Sequence, residues 1–209
     1  MGRVRAAVLI SGRGSNLGAL LAAAEAPGYP AEISLVISNR ADAAGLELAR
    51  AAGVDLHVLG KDGVRNGELA AVLDRADVGL VCLAGFMRLI PGALAERWRA
   101  RMLNIHPALL PSFPGLDTHA RALAAGVKLS GCSVHFVTAE VDAGPIVGQA
   151  AVPVLAGDSE ATLAARVLAA EHRLYPRCVA LVASGRVRWE AAGLVWQAEP
   201  GVGVLQNPL

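Results

Sequence analysis

The stretch Val4–Leu17, VRAAVLISGRGSNL, decides the reading of the fold. A mostly apolar run gives way at once to Ser11, Gly12, Arg13 and Gly14, and then to an Ala/Leu-rich segment. A short apolar run bounded by turn residues reads as a strand buried on both faces, the kind found in parallel sheets covered by helices. The alternation then repeats. EISLVIS (Glu32–Ser38) is the next strand, and ADAAGLELARAAG (Ala41–Gly53) a helix stopped by a C-cap glycine. VDLHVL is the third strand, Asn66–Arg75 a helix, and VGLVCLAG the fourth strand. Pro91 opens a helix running to about Arg99, where its missing N–H is harmless, and RMLNIH is the fifth strand. Strands alternating with helices of this length predict an α/β, Rossmann-like, mostly parallel sheet flanked by helices.

After His106 the pattern changes. PALLPSFPG (Pro107–Gly115) holds three prolines and a glycine and reads as a shaped loop. A helix from Thr118 to about Ala125 ends at Gly126. GCSVHFVT and IVGQAAVPV, joined by the turn-rich AEVDAGP, predict an antiparallel hairpin in the C-terminal portion. Asp158 or Ser159 caps a long helix from about Glu160, which Pro176 is expected to kink or divide. RVRWEAAGLVWQ (Arg186–Gln197) reads as a last edge hairpin or an extended tail. With no repeats and no linker, residues 1–209 read as a single domain.

Composition narrows the function classes. A hydrophobic content of 54% suits a sizeable core and excludes disorder. A formal net charge of +1, with three Phe, three Trp and two Tyr, leaves no basic, aromatic-studded surface for nucleic acid. Cys82, Cys132 and Cys178 are widely spaced and read as small buried hydrophobes in a reducing compartment. The longest apolar stretch, VGLVCLAGFM, is far short of the roughly 20 residues that span a bilayer. A cytoplasmic protein that binds neither membrane nor nucleic acid is expected.

Three chemical features fall at the carboxyl edge of the expected sheet, where ligands of open parallel sheets bind. The first is the loop after strand one. Gly12 and Gly14 permit close approach of a ligand, and the amides of Gly14, Ser15 and Asn16 open a helix N-terminus that favours an anion. The spacing, with Gly18, is not the dinucleotide fingerprint, and a P-loop lysine is missing, so a single phosphate fits better than a pyrophosphate. The second is AGFMR, after strand four. The third is NIHP, where alternation puts Asn104 and His106 on one face and Pro107 ends the ladder. Taken alone this pair could be a buried, satisfied Asn and His. Asp142, in the turn of AEVDAGPI, could be a plain turn residue, or could fold back and hold His106. An Asn, a His and an Asp without a matched nucleophile point to proton transfer and oxyanion stabilisation. His57, His106, His119, His135 and His172 show no metal-ligand spacing, so no metal is expected.

ISGRGSNL, SNRADAAGLELA, LAGFMRLI, LNIHPALLPSFPG, SVHFVTAEVDAGPI and GDSEATLAARVLAAEHRLYP together resemble the phosphoribosylglycinamide formyltransferase family, folate-dependent enzymes of purine synthesis. The resemblance runs from about Val4 to Trp189. It implies transfer of a formyl group from 10-formyltetrahydrofolate, as cosubstrate, to the amine of 5-phosphoribosylglycinamide. Another formyl-tetrahydrofolate transferase, or a deformylase, is the alternative. By the same resemblance Asn104, His106 and Asp142 match the catalytic trio, and Gly14, Ser15, Asn16 and Glu171 match the ribonucleotide contacts. Arg65, Met87, Arg88, Leu89, Ile90 and Asn104 match folate contacts, with KDGVRNGEL around Arg65 aligning loosely. It divides the chain into a phosphate-binding half (1–100), a catalytic and folate-binding half (101–190) and a tail (191–209), in a monomer or homodimer.

Overall fold

The computed structural model describes residues 2–197 and 205–206. In chain order the elements are β1 (Val4–Ile10), α1 (Ser15–Ala24), β2 (Ala31–Ser38), α2 (Gly45–Ala51), β3 (Asp55–Val58), α3 (Glu68–Arg75), β4 (Leu80–Leu83), α4 (Gly92–Arg97) and β5 (Met102–His106). There follow α5 (Thr118–Ala124), β6 (Leu129–Phe136), β7 (Ile146–Pro153), α6 (Glu160–Ala183), β8 (Val187–Glu190), β9 (Gly193–Trp196) and β10 (Leu205–Gln206). The main sheet has the order β10-β7-β6-β5-β4-β1-β2-β3. β1 to β5 are parallel, and β6 is antiparallel to both β5 and β7. The expected α/β fold, mostly parallel and completed by an antiparallel hairpin and a long helix, is present.

Side-chain alternation along β1 builds two apolar layers. Ala6, Val8 and Ile10 face α1, α2, α5 and α6, whereas Ala7 and Leu9 face α3 and α4. Val8, Leu9 and Ile10 are fully buried, each worth about 1.5–3 kcal/mol of transfer free energy. From β1 the chain winds outward to β2 and β3, then returns to place β4 and β5 on the other flank. The winding reverses between β1 and β4, so the loops leaving their carboxyl ends diverge and open a crevice there.

Several boundaries differ from expectation for local reasons. α2 begins at Gly45 rather than Ala41 because the preceding residues form a side-chain-stabilised turn: Ser38 Oγ accepts from Arg40 N (3.0 Å) and donates to Arg40 O (2.8 Å). Pro91 is the extended N-cap of α4 rather than its first helical residue. Pro176 does not divide α6, whose 24 residues run through it. An interior proline costs about 3 kcal/mol, and tertiary contacts on both sides offset that here. Its carbonyl accepts from Tyr29 Oη (2.7 Å), and the hydroxyl of the adjacent Tyr175 donates to Leu83 O (2.9 Å) and lies 3.3 Å from Leu103 O. α6 starts at a reciprocal capping box between Ser159 and Thr162. The β8–β9 hairpin is a separate two-stranded sheet rather than an edge of the main one. It is seated by Trp189, which packs on Phe136 (5.7 Å between centroids) under the Arg99 guanidinium. The edge beside β7 is taken by β10, and residues 198–204 and 207–209 of the expected tail lie outside the described residues.

Candidate active site

Antiparallel pairing of β5 and β6 sets Asn104 opposite His135 and His106 opposite Ser133. Directly opposed residues project from the same face, so two strands place an amide, two imidazoles and a hydroxyl side by side. The β6–β7 loop then folds back over that face. Asp142 takes a left-handed conformation (φ 54°) and Gly144 packs against the Phe136 carbonyl, which brings the carboxylate inward. Asp142 Oδ2 lies 3.3 Å from His106 Nδ1 and accepts from Gly115 N (2.8 Å). Its Oδ1 lies 3.5 Å from both His135 Nε2 and Asn104 Nδ2. The expected trio is therefore assembled from β5 and a loop some forty residues away in sequence.

Both nitrogens of the His106 ring face oxygen. Nε2 lies 3.0 Å from Phe113 O, and Nδ1 faces Asp142. A neutral ring satisfies one of these acceptors, and the doubly protonated ring satisfies both. The Phe113 carbonyl fixes the ring orientation, so Nδ1 and the carboxylate share the side next to Asn104. Burial pushes the Asp142 carboxyl up. The His135 contact, the Gly115 amide and the neighbouring imidazoles outweigh that and hold it below the ordinary Asp value. Asp142 thus presents a carboxylate oxygen to His106 Nδ1.

His135 was not among the residues singled out from sequence. Its Nδ1 donates to Phe136 O (2.9 Å), which turns Nε2 towards Asn104 Nδ2 (3.2 Å) and Asp142. The usable signal was SVHF, whose alternation gives Ser133 and His135 a common face just as NIH does for Asn104 and His106. The antiparallel register that brings the two pairs together is not written in either segment.

At the head of the crevice, Gly14 is left-handed (φ 74°), and a Cβ there would stand 2.6 Å from the Gly45 Cα. Close backbone packing of the loop on α2 thus requires glycine, and Gly45 N donates to Gly12 O (3.0 Å). Ser15 and Asn16 begin α1, which has no acidic residue in its first turn. Asn16 Nδ2 donates to Glu171 Oε2 on α6 (2.7 Å), both residues being buried. Asn16 Oδ1 is buried and has no partner among the described residues, an acceptor open to a ligand donor.

Burial raises the Glu171 carboxyl above its ordinary value, only partly countered by Asn16. A raised folded-state value means that this carboxyl favours folding while protonated and that the contribution is lost as pH rises through the raised value. Glu171→Gln removes the titration. Its stability relative to wild type should therefore increase as pH rises from about 4 to 7. Urea denaturation at several pH values checks this, and a difference that stays flat would contradict it.

Met87, Arg88, Leu89 and Ile90 follow β4, and Met87 N donates to Ser11 Oγ (2.7 Å), tying this segment to the loop after β1. Met87 (64%) and Leu89 (75%) are widely exposed, as are Leu116 (68%) and Val141 (52%), which flank the Gly115–Asp142 bond. Apolar side chains standing in water beside a polar cluster suit a ligand with an apolar ring system. Arg65 lies exposed in the loop between β3 and α3. It takes part in none of the side-chain bonds that tie the other candidates together among the described residues. Among those residues, no group of three or more His, Cys, Asp or Glu is placed to hold a metal ion, and no helix is long and apolar enough to cross a membrane.

An imidazole–carboxylate pair, an amide and a glycine loop opening a helix at one sheet edge are arranged as in a group-transfer enzyme. Comparison with known proteins gives that class its family: a profile described as formyl transferase matches residues 4–179, and the chain belongs to this family. Within it, the similarity is to phosphoribosylglycinamide formyltransferases. The Escherichia coli enzyme of that name is 46% identical over 186 residues, covering 87% of this chain and 88% of the relative. A crystal structure of the Anaplasma phagocytophilum phosphoribosylglycinamide formyltransferase superposes with a TM-score of 0.91 at 45% identity, covering 97% of this chain and 98% of the other. The human trifunctional purine biosynthetic protein adenosine-3 is 46% identical over 203 residues, 94% of this chain. The chain spans 20% of the length of that trifunctional relative.

Proposed function

We propose that the chain transfers the formyl group of 10-formyltetrahydrofolate to the amine of 5-phosphoribosylglycinamide, a step of purine biosynthesis. The observation that carries this reading is the convergence of Asn104, His106 and Asp142 at 3.3–3.5 Å beside an anion loop that ends in the buried Asn16–Glu171 pair. The formyl transferase family supplies the folate-type donor. The names of the relatives supply the acceptor.

In this reading the amides of Gly14, Ser15 and Asn16 take the phosphate, and Glu171 with the free Asn16 Oδ1 meets the donors of the ribonucleotide. The exposed apolar segment Met87–Ile90 forms a wall for the pterin. The amine nitrogen attacks the formyl carbon, and the C–O π electrons move onto oxygen. Asn104 Nδ2–H and the cationic His106 stabilise that oxyanion. When it collapses, the bond from carbon to the folate nitrogen breaks as the His106 imidazolium gives that nitrogen its proton, and the neutral ring then takes the proton released by the amine. Asp142 orients the ring and favours its recharging. One oxyanion donor is worth roughly 3–4 kcal/mol, and a positioned acid/base about 10²–10⁴-fold.

The test is a two-substrate assay. Absorbance of the folate product is followed with protein, 10-formyl folate and glycinamide ribonucleotide, and again without the ribonucleotide. Product is expected only with the ribonucleotide present. Equal release without it would identify a deformylase, and no release in either case would remove formyl chemistry.

A further inference from the structure

The segment 107–116 touches both members of the proton-transfer pair. Phe113 O faces His106 Nε2, and Gly115 N donates to Asp142 Oδ2. Phe113 (φ 55°) adopts a left-handed conformation unusual for a residue with a side chain, so the surrounding contacts must over-determine it. Those contacts come from three side chains, Gln149, Ser133 and Arg121, that bond neither His106 nor Asp142. From β7, Gln149 Nε2 donates to Leu110 O and to Ser133 Oγ (2.8 Å each). Ser133, fully buried, accepts from Leu110 N (3.0 Å) and donates to Ala108 O (2.7 Å), so one amide and one hydroxyl seat the first half of the segment. From α5, Arg121 Nη1 donates to Pro114 O (2.5 Å) and Leu116 O (3.2 Å), the carbonyls on either side of Gly115. Its guanidinium also lies 5.6 Å over the Phe113 ring.

We infer that residues 107–116 form a preset platform for the catalytic pair, and that Gln149 and Arg121 are its positioning residues, one clamping each half. The inference rests on the proposed transfer reaction for its kinetic consequence, though the platform itself does not. Arg121 is exposed and its removal leaves the core untouched, so its effect on turnover can pass only through the segment it straps. A displacement of about 1 Å at reacting groups costs on the order of 10²-fold, and a loosened platform shifts the pair by part of that.

Arg121→Ala and Gln149→Ala are each expected to lower kcat about tenfold, with KM for both substrates held within about twofold. In ¹⁵N-histidine-labelled protein without substrate, the His106 ring resonances should shift in both variants, because the Phe113 carbonyl moves. Unchanged kcat in folded Arg121→Ala, or a raised KM with kcat intact, overturns the inference, as does a kcat loss with unmoved His106 resonances. If Gln149→Ala fails to fold, Arg121→Ala alone decides. If wild-type protein transfers no formyl group, the proposed function fails on that result, and the resonance measurement still decides the platform.

Discussion

His106→Ala should reduce kcat by about 10²–10⁴-fold in a protein that remains folded and still binds both substrates. The size follows from the proton bookkeeping. The attacking amine must lose a proton and the departing folate nitrogen must gain one, and His106 is the imidazole that meets Asp142 Oδ2, whose other oxygen meets Asn104. His135 is not placed to substitute: its Nδ1 is committed to Phe136 O, and it reaches Asp142 from the opposite carboxylate oxygen. The fold should survive because the ring lies at the end of β5 beyond the main apolar layers, and Ala keeps the β5–β6 ladder. Ground-state binding should also survive, because the loop proposed to take the phosphate and the Met87–Ile90 segment proposed to face the pterin belong to other elements. Single-turnover kinetics with saturating substrates, together with circular dichroism, read both halves of this expectation. Turnover within about tenfold of wild type in a folded variant would be too small a loss for an essential acid/base and would take His106 out of the chemistry.

What the sequence disclosed follows from the range of the interactions involved. VRAAVLISGRGSNL discloses strand, turn and helix because apolar runs and glycine placement act over a few residues, and β1 was legible to its boundaries. Asn104 and His106 were legible as a pair because strand alternation is local. Asp142 was ambiguous as a turn aspartate, and the resemblance to a known family, rather than its neighbours in sequence, singled it out. His135 carried only the alternation of SVHF, and Gln149 and Arg121 carried no local signal. Each matters through a partner 31, 39 or 7 residues away, chosen by strand register or by the path of an irregular loop. Asn16 and Glu171 are 155 residues apart. Pro176 shows the converse: a local rule expected a kink or a division, and the helix runs through it undivided, held by two tyrosine hydroxyls.

Gly144→Ala should lower kcat by about 10²-fold although the substituted residue touches no substrate. A Cβ built at position 144 would lie 1.8 Å from Phe136 O and 2.8 Å from Phe136 C, atoms of the β6 backbone that cannot rotate aside as a side-chain end can. β6 is paired on both edges, with β5 and β7, so the β6–β7 loop is the part that must move. That loop carries Asp142 two residues away, and relieving so deep an overlap requires a displacement of more than an ångström. Asp142 would leave Gly115 N and both imidazoles. The same carbonyl, Phe136 O, holds His135 Nδ1, so the clash disturbs the second imidazole from behind. The variant should therefore lose turnover more than it loses affinity for the ribonucleotide, whose loop lies at β1. Catalytic constants and ribonucleotide binding measured on the same preparation separate these effects. Near-wild-type kcat would mean that the loop carrying Asp142 can sit off β6 without harm, and close approach of Gly144 would then have no part in placing the carboxylate.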